Sequence, residues 1–316
     1  MTAQPLLDHR PLSILDFGSL LFLGAVWGAV FLFMRVAAPE VGPVWAAEIR
    51  LAIGAALLLV FAGRRTLAVA RGRVIGFLIV GALFSAIPFT LISYATVTLP
   101  AGFTALLNAA TPLFTAAIGV AFLGQRIGLR VAVGLGVGVV AVLVLVGWAP
   151  IGGDASTMLA IAAGLGAPAS YAIAGNFVRA RMAGVAPAEL ATGMLTSGAL
   201  LALPVALLTG APHAPAIDGV ISLLGVGILS TAIAWPIFFR VLRRTTPTAA
   251  STVTFIVPAF ALTWGSILYA EPVTAGLLLG FGLILVSLVL VLGIVAVPRP
   301  PIAARVAGLA RAVLPI

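Results

Sequence analysis

Residues Ala101–Gln125 read AGFTALLNAATPLFTAAIGVAFLGQ. The stretch carries no charge. As a helix rising about 1.5 Å per residue it is long enough to cross a hydrocarbon core of roughly 30 Å. Pro112 stands at its middle. A proline there removes one N–H and crowds the carbonyl four residues back, so the helix must bend or loosen. In lipid the freed carbonyl needs another partner, which sets such a break against other helices or a wet cavity.

The stretch has an echo 146 positions on, where Pro247–Glu271 reads PTAASTVTFIVPAFALTWGSILYAE. Pro112 falls on Pro258, Phe114 on Phe260, Gly119 on Gly265 and Gln125 on Glu271. The same offset then carries Gly134, Gly136 and Gly147 onto Gly280, Gly282 and Gly293. An unbroken offset across two successive helices reads as an internal duplication.

Of the 316 residues, 62% are hydrophobic and 8% charged, against about a quarter charged in a soluble domain. The chain reads as a polytopic membrane protein. It has no cysteine, which removes disulfide and thiolate chemistry. The net charge is +9 and every basic residue is arginine. These arginines lie between apolar runs, so they read as topogenic charge and no nucleic-acid partner is expected.

Ten apolar runs follow one another, at about 14–37, 44–62, 74–94, 101–124, 129–148, 157–178, 187–208, 218–239, 248–269 and 275–297. Each is near spanning length. The first is too long for a signal-peptide core and is expected to be retained. The organisation expected is a tail over 1–13, a first five-helix repeat over 14–148, a second over 157–297 and a basic tail over 298–316. The connections are short, and no GxxxxGK[ST] motif is present.

With the N-terminus in the cytoplasm, fifteen of the seventeen arginines fall on the cytoplasmic side, and only Arg35 and Arg50 on the other. Both termini are therefore expected inside. Five helices per half is an odd number, so the second half enters the membrane inverted. The charges agree: the Arg240–Arg244 loop aligns with uncharged Tyr94–Thr98, and Arg126 and Arg130 align with Pro272 and Gly276. The fold class expected is an all-α integral membrane protein of ten transmembrane helices in two inverted five-helix repeats. Such repeats hold a site near mid-depth where the halves meet, and rocking of one half against the other gives access from two sides.

At these residues the chain resembles a known family. Trp27-Gly28 with Phe31, Arg50 in AEIRLAIGA, Thr111-Pro112-Leu113 with Gly124-Gln125-Arg126, and in the second half Val257-Pro258 with Ala270-Glu271-Pro272 are similar to the EamA-type permeases of the drug/metabolite transporter superfamily. The likeness covers roughly 18–297. A narrower likeness is to aromatic amino acid exporters of the YddG type. Gln125, where the pattern has glutamate, and Tyr171, where it often has tryptophan, are departures. The resemblance implies export of small metabolites, often amino acids, across the bacterial inner membrane.

Thr104, Asn108, Thr111 and Thr115 share one face of the fourth run. Asn108 and Thr111, beside the Pro112 break, are expected to line a cavity, whereas Thr104 and Thr115 read as helix–helix glue. Asn108 offers donors and an acceptor to a neutral or zwitterionic solute. The other substrate-binding candidates are Trp27, Phe31, Ser85, Phe89, Ser93, Tyr171, Trp235, Thr254 and Pro258. Trp27 and Tyr171 align across the halves at a local offset of 144, while Trp45 and Trp148 lie near run ends and read as belt residues. Glu48 and Arg50 read either as functional intramembrane groups or as a local anchor, with Arg50 reaching toward headgroups and Glu48 paired nearby.

Gly134-xxx-Gly138 and Gly276-xxx-Gly280 read as packing posts on the fifth and tenth helices, serving each other or a homodimer seam. No acid stands plainly at mid-depth, so proton coupling, facilitated diffusion and exchange stay open. His9 and His213 have no acids at ligand spacing, and neither a metal nor a cofactor is expected. The alternatives to a transporter are a membrane-embedded enzyme acting on a lipid or isoprenoid and a non-transporting helper.

Overall fold

The structure is a computed structural model that describes residues 13–123, 128–148, 152–210, 212–244 and 253–292. The tails expected over 1–13 (apart from Ser13) and 298–316, and Gln125, Arg126 and Ser251, lie outside the described residues.

Every regular element among the described residues is helical. In chain order they are α1 (Ile14–Val41), α2 (Pro43–Ala70) and α3, made of Val74–Gly81, a π-helical turn at Ala82–Ala86, and Ile87–Thr98. Next come α4, made of Ala101–Asn108 and Thr111–Leu123, then α5 (Leu129–Trp148), α6 (Ala155–Arg181) and α7 (Pro187–Leu208). The last three are α8, made of Ile217–Gly227, a π-helical turn at Ile228–Ile233, and Ala234–Arg244; α9 (Val253–Tyr269); and α10 (Ala275–Leu292). Nine of these spans are long and apolar enough to cross a membrane; α9 is apolar but has 17 described residues. Successive spans run in opposite directions. The end of the bundle where α1 begins is the near end, and the other is the far end.

Local chemistry starts and stops these helices. Ser13 and Asp16 form a reciprocal capping box at the start of α1. Asp154 caps α6 and accepts the Thr157 N–H at 3.0 Å. Hydrogen bonds from Thr157 and Ser156 hold its carboxyl below the ordinary carboxylate range. Gly42, at φ +87°, turns α1 straight into α2, a conformation that side chains rarely adopt.

Equivalent contacts occur in both halves. Helix α1 packs on α9 as α6 packs on α4, α1 meets α8 as α6 meets α3, and α2 meets α8 as α7 meets α3. The two π-helical turns begin at Ala82 and Ile228, the offset of 146 that relates the two prolines. Gly54 lets Thr231 approach α2, and Gly198, 144 residues later, lets Ser85 approach α7. Helix α5 lies against α10. Gly134 lies beneath Leu290 and Val291, Gly138 beneath Leu113 and Ser287, Gly276 against Trp148, and Gly280 against Leu145. These four glycines thus serve contacts within the chain, and the Ser287 hydroxyl donates to the Gly134 carbonyl at 2.6 Å.

Helix α1 crosses α9 at Gly24 and Gly28. A Cβ on Gly28 would lie 2.8 Å from the Phe260 Cβ and 2.9 Å from the Ala261 nitrogen, so backbone would have to move. Gly28→Leu is expected to lower the melting temperature of the purified protein, at a cost of about 1–3 kcal/mol or more from overpacking. Gly282→Leu, where a Cβ meets nothing within 4 Å, is the matched control. Equal melting of the two variants would contradict the close crossing.

Candidate functional site

Between the halves lies a cavity of about 560 Å³, within the 300–1,000 Å³ range usual for small-molecule sites. Ten of the twelve substrate-binding candidates line it. Trp27 and Phe31 come from α1, Phe89 from α3, and Asn108, Thr111 and Pro112 from α4. Tyr171 comes from α6, Trp235 from α8, and Thr254 and Pro258 from α9. The lining also reaches Arg179, Val253 and Leu292, at the near end, so the cavity extends from mid-depth to that end.

The break at Pro112 is sharper than a bend. Helix α4 stops at Asn108, turns through Ala109 and Ala110, and restarts at Thr111. The carbonyl that Pro112 frees belongs to Asn108, and the Thr111 hydroxyl donates to it at 2.8 Å. With its main chain satisfied this way, Asn108 presents a side chain at the cavity whose Oδ1 is buried and has no hydrogen-bond partner. Thr254 and Pro258 stand at the corresponding positions of α9 and line the cavity too. Thr115, expected as glue, donates to the Thr111 carbonyl and also lines the cavity. Thr104 is fully buried on the Pro100 carbonyl, as glue should be.

The π-helical turns loosen the carbonyl ladder of α3 and α8, and neighbouring helices bond the loosened groups. Trp27 Nε1 donates to the Ser230 carbonyl at 3.0 Å, and the Ser230 hydroxyl donates to the Val26 carbonyl at 3.1 Å. On the other side, the Ser170 hydroxyl donates to the Leu83 carbonyl at 2.7 Å. These bonds fix an aromatic wall. Trp27 lies 5.4 Å from Trp235 and 5.2 Å from Phe238, and Phe84 lies 5.5 Å from Tyr171 and 5.7 Å from Trp235. The tilted and edge-on arrangements are those that aromatic quadrupoles favour.

Arg50 belongs to this wall and does not reach for headgroups. Its side chain is 4% exposed and lines the cavity. Nε donates to Thr231 Oγ1 at 3.0 Å, and the guanidinium carbon lies 3.6 Å above the Phe89 ring. Nη1 is buried without a partner. A buried charged donor left unbonded costs about 1–3 kcal/mol or more. Glu48 is buried at 5% with Oε2 unbonded, yet it does not line the cavity. The two residues are two positions apart, on different faces of α2, so they do not form a pair.

Two sequence candidates lie elsewhere. Ser85 is fully buried and donates to the Gly81 and Met194 carbonyls, where it locks α3 to α7. Ser93 is fully buried and donates to the Phe89 carbonyl and Met34 Sδ. A hydroxyl in a helix bonds readily to the carbonyl a turn back, so of the stripe they form with Phe89 only Phe89 reaches the cavity. Phe84 and Gly175 are among the lining residues that were not singled out. Nothing in the periodicity around Phe84 marks it; the π-helical turn aims it at Tyr171.

The far end is closed by polar contacts. Arg35 Nε lies 3.1 Å from Glu271 Oε1, and Arg35 Nη1 donates to the Leu99 carbonyl at 2.6 Å. Glu271 accepts the N–H groups of Ala101 and Gly102 at 3.0 and 3.4 Å, so it also caps α4. One cluster thus ties α1 to the ends of α4 and α9. Beside it, the Ala216 N–H donates to Glu40 at 2.8 Å and Trp45 Nε1 donates to the Gly210 carbonyl at 2.7 Å.

Known proteins bear on this arrangement. The transporter YoaV of Bacillus subtilis, itself uncharacterised, is 26% identical over 259 residues, covering 81% of this chain and 89% of that protein. A probable amino-acid metabolite efflux pump of Salmonella typhimurium is 27% identical over 283 residues, covering 85% and 91%. A crystal structure superposes with a TM-score of 0.62 over 87% of this chain and 95% of the other, at 15% identity, a likeness of fold alone. The EamA-like transporter family matches twice, over residues 17–147 and again over 158–293. With two matches that together span most of its length, this chain belongs to the EamA-like transporter family.

Proposed function

We propose that this protein is a secondary transporter that exports small organic metabolites, amino acids or related compounds, across the bacterial inner membrane by alternating access. The single observation that carries the reading is the cavity between the two halves, which reaches the near end while the far end is tied shut. The efflux pump of Salmonella typhimurium supports the solute class.

In this reading the arginine-rich near end faces the cytoplasm, both termini lie there, and the conformer is inward-facing. Export requires the Arg35–Glu271 cluster to part while the near end closes. Hydrogen bonds to charged groups contribute on the order of 1–3 kcal/mol each. A cluster of a few such bonds suits a switch between states that differ by a few kcal/mol. The wall needs little rearrangement, because its main-chain groups are already bonded.

Two measurements test this. Proteoliposomes should show efflux or counterflow of at least one member of a broad panel of labelled amino acids and related metabolites; no flux of any member would defeat the proposal. The chain has no cysteine, so single cysteines report access without background. Thr115→Cys should react with an impermeant maleimide applied from the cytoplasmic side, and Leu99→Cys should be protected. Adding Glu271→Gln to an Ile92→Cys protein, whose cysteine would line the cavity, should raise its labelling from the outer side. Unchanged labelling would show that the cluster is no gate.

A further inference from the structure

Among the described residues that line the cavity there are two arginines and no aspartate or glutamate. Arg179 stands at the near end with an exposed side chain that donates to Asn176 Oδ1. Arg50 lies deep, with no acidic partner among the described residues, and its Nη1 is buried and unbonded. We propose that Arg50 is the group that recognises ligand in this cavity, by binding the carboxylate of an organic acid whose apolar body lies among the aromatic rings; the proposal rests on the transport reading above.

Three features support it. The guanidinium is held in place before any ligand arrives. Thr231 takes Nε, the Phe89 ring supports one face, and the Thr231 hydroxyl is itself anchored to the Val226 carbonyl at 2.8 Å. Thr231 belongs to the π-helical turn of α8, so that irregular turn positions the arginine. A fork bonded at Nε and unbonded at Nη1 keeps planar donor capacity for an oxyanion.

The fold does not need a cation at this position. Gly54 corresponds to Gly198 by their matched contacts with Thr231 and Ser85, and the same register sets Arg50 against Met194. Met194 is buried in an apolar cluster, and its carbonyl accepts from the Ser85 and Ser197 hydroxyls. The corresponding position of the other half is therefore filled without charge.

The charge balance selects the ligand class. A buried cation in an apolar wall is stabilised by a single opposite charge. A carboxylate supplies one. A phosphate dianion would bring a second charge with no deep partner, and a cationic amine without a carboxylate would be repelled. An amino group on the ligand is compatible with this site but is not required by it.

The test uses the full-length protein in lipid nanodiscs, with quenching of Trp27 and Trp235 fluorescence and thermal protection as readouts. The probes are 3-phenylpropionate against 3-phenylpropionamide, and L-leucine against L-leucinamide. Each acid should bind about tenfold or more tightly than its amide. Arg50→Gln should abolish that preference while leaving amide binding in place, and Arg50→Lys, which keeps the charge but not the fork, should retain part of it. Should Arg50→Gln fail to fold, the wild-type ratio and Arg50→Lys still decide. Equal binding of acid and amide by the wild type, a preference that survives Arg50→Gln, or one lost only with Arg179→Gln would each overturn the proposal. If neither acid binds, the assignment of Arg50 falls, and flux of an uncharged or cationic metabolite in proteoliposomes would then leave the transport reading standing.

Discussion

A carbonyl that loses its helical partner inside a membrane has no water to turn to, so the protein has to bond it again. This fold is arranged around such places. Pro112 frees the Asn108 carbonyl and Thr111 takes it up. The π-helical turn of α8 is met by Trp27, and that of α3 by Ser170. Each repair brings a side chain from a neighbouring helix, or from the next turn, to the middle of the bundle. The same events therefore open space at mid-depth and line it.

The two halves repeat the backbone and differ in chemistry. Prolines, π-helical turns and close glycines recur at nearly constant offsets. The side chains at matched positions do not. Asn108 stands against Thr254, Trp27 against Tyr171, and Arg50 against Met194. The backbone thus repeats, while the deep charge stands on one wall of the cavity.

The ends of the bundle differ for a related reason. At the far end, charge-assisted bonds from Arg35 and Glu271 gather three helices and cap the start of α4. They lie where side chains are partly exposed, at 33% and 12%, so parting them costs less than parting a buried pair. The contacts of α1 with α9 and of α5 with α10 are mainly apolar packing across glycines, each with one neutral hydrogen bond beside it, from Trp264 Nε1 to the Ala25 carbonyl and from Ser287 to the Gly134 carbonyl.

The sequence by itself determined the ten apolar runs, the duplication, and the helices that wall the cavity through Pro112, Pro258 and their polar neighbours. These follow from local rules: hydropathy over about 20 residues, the missing N–H of proline, and the side-chain period of a helix. Which hydroxyls turn to solute and which to a carbonyl depended on the neighbouring helix. Ser85 and Thr231 occupy matched places, yet Ser85 locks α3 to α7 while Thr231 holds an arginine. Whether Arg50 reached for headgroups or turned inward was open on the same ground. Only the tertiary structure decided it, because Gly54 lets α8 close enough for Thr231 to take Nε, a contact between residues 181 positions apart that no local pattern encodes.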